Sequence, residues 1–240
     1  LAIYLTMIMS FLATLVLHVP KNLYRVLLLI PFSMSVWLFT QAGSRIGLLG
    51  LGLSLGFITY LYRQYLWGLV FYLIIGITLL SSPQYIDRFQ NLFTILKNTL
   101  VYQTHFYAYA EEKRVIQQDT STSIRFDVEW PRALRSFYKN PFLGTGYSSI
   151  SLATDNDYLR ALGETGLLGL LSLLALLLAI WKQLWRLQSQ ANNLDKLIVI
   201  AGLGVFTSFC VSALFIDVFE SSKIAILFWA VMGLTFSFKK

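Results

Sequence analysis

Three stretches of the sequence hold residues whose types and spacing suit chemistry on a charged substrate. Ser44-Arg45 sits between two apolar runs. An arginine at the edge of such a run is costly to bury, and its planar guanidinium binds two oxygens of a phosphate at once. The plainer reading is an arginine whose head snorkels to lipid phosphates. The second stretch is Asp155-Asn156-Asp157-Tyr158-Leu159-Arg160, followed by Gly163-Glu164-Thr165-Gly166 and then directly by an apolar run. Asp155 or Asp157 is suited to take a proton from an acceptor hydroxyl. The same residue types also cap helices, where side-chain oxygens meet free amides and the helix dipole favours negative charge.

The third stretch is 124–146. A helix is expected from Ile124 to about Lys139, opened by Ser123 as N-cap and ended by Asn140-Pro141. Pro131 should kink or divide it. At about 100° per residue, Arg125, Glu129, Arg132 and Lys139 share one face, with Arg135 at its edge. Phe126, Trp130, Leu134 and Phe137 fall on the other face. A basic stripe opposite an aromatic one suits substrate binding, and equally a helix lying in the lipid interface. Beyond it, Gly144-Thr145-Gly146 lets the backbone approach a ligand and turn amides toward an anion, or simply makes a turn.

Other polar residues are weaker candidates. Asp217 and Glu220 read as solvated turn carboxylates that could also face the site. His105, among Tyr102, Phe106, Tyr107 and Tyr109, is expected to pack or hydrogen-bond, and His18 to sit at an interface. No Cys/His cluster and no H-E-x-x-H spacing occurs, so no metal is expected. Neither a P-loop nor a dinucleotide-binding glycine pattern is present, so no cofactor is expected.

What must position these residues is a membrane bundle. Hydrophobic residues make up 56% of the chain and charged ones 13%, against roughly 25% charged in a soluble domain. A soluble fold of this size would expose large apolar patches, whereas a bilayer takes helices of about 20 apolar residues. Apolar runs fall at about 1–17, 22–39, 46–62, 65–80, 161–181, 197–216 and 222–238. The expected fold is therefore all-α: a single polytopic transmembrane domain over 1–240 with about seven spans. Pro31 interrupts the second run, which a membrane helix tolerates. Gly47, Gly50, Gly52 and Gly56 give the third a face for close helix packing. The chain opens at Leu1 inside an apolar run without a signal-peptide pattern, and further spans are expected to precede it.

The net charge of +7 suggests nucleic acid at first sight, but its placement argues for cytoplasmic loops and no nucleic-acid partner. Lys21, Arg25, Arg63, Lys182, Arg186, Lys196, Lys239 and Lys240 all fall on one side when the spans alternate. By the positive-inside rule that side is cytoplasmic. The opposite, external side then receives Gln41–Arg45, the turn Asp217–Lys223 and the long segment 81–160. That segment is expected to be helical, with a tyrosine-rich helix around 86–118. Cys210, the only cysteine, can form no internal disulfide.

The ordered set of residues resembles the O-antigen ligase and O-antigen polymerase family of bacterial envelope glycan enzymes. It comprises Ser44-Arg45 before a glycine-rich helix, then Arg125, Trp130, Ala133-Leu134, Asn140-Pro141 and Gly144-Thr145-Gly146 in a long loop. Asp155-Asn156-Asp157-Tyr158-Leu159 and Glu164-Thr165-Gly166-Leu167-Leu168-Gly169 follow. The resemblance runs from about Gln41 to the C-terminus. It implies a glycosyltransferase of the bacterial cytoplasmic membrane that takes a glycan from undecaprenyl pyrophosphate. The glycan is joined at the outer face to the hydroxyl of a glycan, lipid or protein acceptor, without a metal.

By motif position, the resemblance makes Arg45 and Arg125 the cations that hold the pyrophosphate, with Arg132 or Arg135 assisting. Many family members carry His-Asn where this chain has Asp155-Asn156, so Asp155 takes the place of the expected base. Gly144, Gly146, Asn156, Asp157, Tyr158 and Glu164 are expected to shape the substrate site. A transporter or flippase of lipid-linked sugars is the alternative. Such proteins often show internal repeats, and none is detectable here.

Overall fold

The computed structural model describes residues 1–82, 124–150 and 153–237. All regular structure among them is helical, as the sequence predicts. Helices α1 (Ala2–His18), α2 (Asn22–Gln41), α3 (Arg45–Tyr62) and α4 (Tyr65–Leu80) come first. A π-helical turn (Arg125–Glu129) runs into α5 (Trp130–Lys139), and α6 (Asp157–Gln190), α7 (Asn193–Ser212) and α8 (Ser222–Ser237) complete the order. By length and composition α2, α3, α6 and α7 are able to cross a membrane, while α1, α4 and α8 are apolar helices of 16 or 17 residues. The expected tyrosine-rich helix at 86–118, His105 and the Ser123 cap lie outside the described residues.

Beside α7, the most buried of the span-length helices, stands α3. Ser44 caps it, its Oγ accepting the Gly47 N–H at 3.1 Å, and it stops where Arg63 turns into the left-handed region at φ 55°. Gly50 lets it close on α7, for an added Cβ there would lie 3.0 Å from the Ser208 carbonyl. Gly204 answers from α7, facing Ile58 and Ser54. Such small-residue contacts bring two backbones together where lipid supplies no hydrophobic drive for helix association. At the same Ser54, Ser10 of α1 hydrogen-bonds the hydroxyl at 2.8 Å. Pro31 leaves α2 continuous.

These contacts fix which helix ends lie together. His18 at the end of α1 meets Tyr62 at the end of α3 (3.4 Å), and Trp181 of α6 packs on Phe57 (5.2 Å between ring centroids). Lys21, Arg25, Arg63, Lys182, Arg186 and Lys196 therefore belong to one end of the bundle. Arg45, the start of α6 and the end of α7 belong to the other. Ser212 near Gly50 and the bond from Asp157 N–H to the Ala213 carbonyl (2.9 Å) join them there.

The segment before α6 follows the helix expected over 124–139, with the interruption expected near Pro131. Trp130 N–H reaches back to the Arg125 carbonyl, an i to i−5 bond. Pro131, lacking an N–H, follows at once, so the α-helical ladder cannot run through in step. Proline thus divides the segment into a π turn and α5, which ends at Lys139 before Asn140-Pro141. Buried Ala133 seats α5 on α6, with Gly163 directly beneath its carbonyl.

Candidate active site at the Arg45 end of the bundle

The start of α6 is built by an exchange between two loops. Neither Asp155 nor Asp157 caps it; Asn156 does, its Oδ1 accepting the Leu159 N–H at 2.9 Å. Asp157 turns inward instead and accepts the Val218 and Phe219 amides at 2.7 and 3.1 Å. The loop after α7 returns the same interaction. Asp217 accepts the Thr154 amide at 2.9 Å and the Asn156 amide at 3.0 Å. Two carboxylates, each bound to the other loop's backbone, clasp residues 154–157 to 217–219.

Arg160 locks the clasp from below. Its Nη1 meets Asp217 at 3.1 Å, its Nη2 meets Glu220 at 2.9 Å, and its Nε lies 3.4 Å from Glu164. Asp217 is thus not a solvated turn carboxylate, a correction to the expectation from sequence, whereas Glu220 is exposed in the turn and pairs with Arg160 from there. Asp217 keeps only 12% of its side chain exposed. Burial pushes the Glu220 carboxyl above its usual range, Arg160 pulls it down, and Glu164 and Asp217 push it up again. The signal in the sequence was a single arginine one turn into an apolar helix, which demands carboxylate partners, and two acids three residues apart in a short turn.

The π turn delivers Arg125 to this frame. Its Nε and Nη2 both meet Asp155 Oδ2, at 2.8 and 2.7 Å, with both side chains largely buried. Asp155 stands at φ 48°, in the left-handed region that few non-glycine residues enter. Glu129, one turn along from Arg125, has a buried Oε2 without a hydrogen-bond partner. Burial first, and then the Asp155 charge, push its carboxyl up, while Arg125 pulls it down. The structure therefore brings Arg125 and Asp155 into contact and adds Glu129 to them.

The remaining sequence candidates are placed differently. Arg45 is half-buried in the first turn of α3, at the same end of the bundle. Arg132 is half-buried and Arg135 exposed on α5; neither has a bond to Asp155. The side chains of Asn156, Asp157, Tyr158 and Glu164 are engaged within the protein. The Tyr158 hydroxyl donates to the Cys210 carbonyl at 3.0 Å. Buried Glu164 accepts the Ser148 and Ile150 amides at 3.0 and 3.4 Å.

Gly144 and Gly146 likewise form no open amide cradle. Their N–H groups bond the Asn140 and Glu164 carbonyls at 2.8 and 2.9 Å. Helix α6 is broken at Gly166 (φ 66°, ψ −166°), which frees the amides that follow. Leu167 and Leu168 donate to the Pro141 and Phe142 carbonyls at 2.8 and 3.3 Å, so the 141–146 strap fills the break. Backbone groups buried without partners are costly, and this exchange satisfies both segments.

Among the described residues no cluster of His, Cys, Asp and Glu is arranged to hold a metal ion. The family model described as O-antigen ligase matches residues 30–174 of the chain. That stretch includes Arg45, Arg125, Asp155 and Glu164, and ends before Asp217. No curated protein matches the chain.

Proposed function

The chain belongs to the O-antigen ligase family, and on that premise we propose that it is a membrane glycosyltransferase with a polyprenyl-pyrophosphate-linked glycan donor. The observation that carries the reading is the Arg125–Asp155 pair at 2.7 Å, set at the same end of the bundle as Arg45. In the proposed step an acceptor hydroxyl oxygen bonds the anomeric carbon of the donor glycan. The bond from that carbon to the pyrophosphate oxygen breaks, the hydroxyl proton passes to Asp155, and the lipid pyrophosphate leaves.

Charge develops on the leaving oxygen, and fixed cations aimed there lower the barrier. Arg45 and Arg125 supply them. A guanidinium carries five N–H donors in a fork; Arg125 uses Nε and Nη2 on Asp155, so one group can align the base and meet the phosphate. Arg132 or Arg135 of α5 assists Arg45 and Arg125. For the lipid part, the stripe of α3 that begins at Arg45 descends past Leu49, Gly52 and Gly56 into an apolar groove of about 630 Å³. Tyr72 and Trp181 complete its wall. A charged head above an apolar channel matches a polyprenyl pyrophosphate.

The reacting end is external and the protein sits in the bacterial cytoplasmic membrane, because the opposite end carries Lys21, Arg25, Arg63, Lys182, Arg186 and Lys196. The test is glycan transfer by full-length protein in nanodiscs, from a polyprenyl-pyrophosphate donor to a hydroxyl acceptor. Arg45→Ala and Asp155→Ala should each lower turnover by about 100-fold or more. A folded wild type that transfers from no lipid-linked donor, or two variants that match a productive wild type, defeats the reading.

A further inference from the structure

Asp217 lies outside the stretch matched by the family model, yet it holds the residue on which the proposed chemistry depends. Its carboxylate accepts the amides of Thr154 (2.9 Å, Oδ2) and Asn156 (3.0 Å, Oδ1). Those are the residues on either side of Asp155. Amides on either side of a residue in the left-handed conformation can converge on one anion, as they do in the backbone concavities that bind anions. Asp155 is that residue, at φ 48°. Without the anion, two amide dipoles would face each other and the conformation would lose its support. With it, the Asp155 side chain is directed at Arg125, 2.7 Å away.

Asp217 is itself fixed. Arg160 Nη1 donates to it at 3.1 Å, and the Val218 and Phe219 amides that follow it are held by Asp157. Both its oxygens are engaged and its side chain is largely buried. That argues against Asp217 as the proton acceptor, since a base needs a lone pair facing the acceptor hydroxyl. We propose that Asp217 is a positioning residue: it clamps the two amides flanking Asp155 and so sets the Asp155 carboxylate against Arg125, with Arg160 bracing it. The inference rests on the glycosyltransferase reading for what the positioned carboxylate does, but its geometry can be judged separately.

The experiment compares full-length wild type and Asp217→Asn in two ways: by their experimental structures in nanodiscs and by transfer kinetics. Asparagine keeps the shape but replaces one acceptor oxygen with an NH2 group that faces an amide or Arg160. The expected structure has Asp155 out of the left-handed region and its carboxylate more than about 4 Å from Arg125. Turnover should fall about 100-fold, the cost of a misplacement of this size, with the donor KM within about threefold. Adding Asp155→Asn to Asp217→Asn should cost less than about threefold further, because both act through one group.

An Arg125–Asp155 contact intact in Asp217→Asn overturns the proposal, whatever the activity. Additive losses in the double variant also overturn it, pointing to Asp217 as a reacting group. If Asp217→Asn does not fold, Asp217→Glu, which keeps the charge on a longer arm, is judged by the same contact and the same cycle. A wild type that transfers no glycan defeats the glycosyltransferase reading alone. The variant's Asp155–Arg125 distance still decides the positioning role.

Discussion

Gly144 and Gly166 meet backbone to backbone: a Cβ added to either would lie 2.6 Å from the main-chain nitrogen of the other. Both have positive φ, 71° and 66°. Gly144→Ala or Gly166→Ala should therefore destabilise twice over. The left-handed backbone costs a non-glycine residue roughly 1–2 kcal/mol, and overpacking adds about 1–3 kcal/mol. Thermal unfolding in detergent should show a lower midpoint for each variant. The pair should lose less than the sum, because the two residues share one contact.

The Arg125–Asp155 pair yields a prediction about side-chain geometry. Lysine keeps the charge at 125 but presents a point cation instead of a fork. It cannot reach Asp155 from two nitrogens, as Arg125 does, while also meeting phosphate. Arg125→Lys should lose most of the activity that Arg125→Ala loses, about 10-fold or more. Transfer assays on matched amounts of folded protein check this. A lysine variant with wild-type turnover would show that charge alone suffices.

Glu129 gives a pH dependence. Its folded-state carboxyl titrates above the ordinary value, from burial and from Asp155. A raised folded value means that the folded state binds the proton more tightly. The associated stability is fully present below the ordinary glutamate value and is lost as pH rises through the raised one. Glu129→Gln mimics the protonated form at every pH. It should leave the unfolding midpoint unchanged near pH 4 and raise it near pH 8, by roughly 2–4 °C per kcal/mol recovered. Midpoints measured at the two pH values decide it.

Much of the frame was legible because lipid leaves few options. Apolar runs of span length can only be helices, and their positions survive in α1–α4 and α6–α8 to within a few residues, except that α6 extends about nine beyond its run at the C-terminal end. The Pro131 division and the stop at Asn140-Pro141 followed from missing N–H groups. The site was harder to read. Asp157, Glu164 and Tyr158 read as site residues in a linear sequence, yet each is engaged by a partner from another segment: Val218 and Phe219, Ser148 and Ile150, Cys210. Whether a carboxylate faces substrate or a backbone amide depends on which loop folds over it, and spacing does not encode that. Arg125 and Asp155 were both legible as candidates, but their contact runs through a π turn that shifts the helical phase by one residue.

The glycines of α3 separate packing from groove, which gives a last test. At Gly50 an added Cβ would press on the Ser208 carbonyl at 3.0 Å, whereas at Gly52 it would meet nothing within 4 Å. Gly50→Ala should wedge α3 from α7 and lower the unfolding midpoint, against the gain of up to about 1 kcal/mol that alanine brings to a helix. Gly52→Ala should keep that gain and raise the midpoint. Gly52→Leu tests the groove itself, since its side chain would fill part of the channel beside Tyr72 and Trp181. It should fold and raise the KM for a long-chain polyprenyl donor while sparing a short-chain analogue. Equal effects on both donors would place the lipid elsewhere.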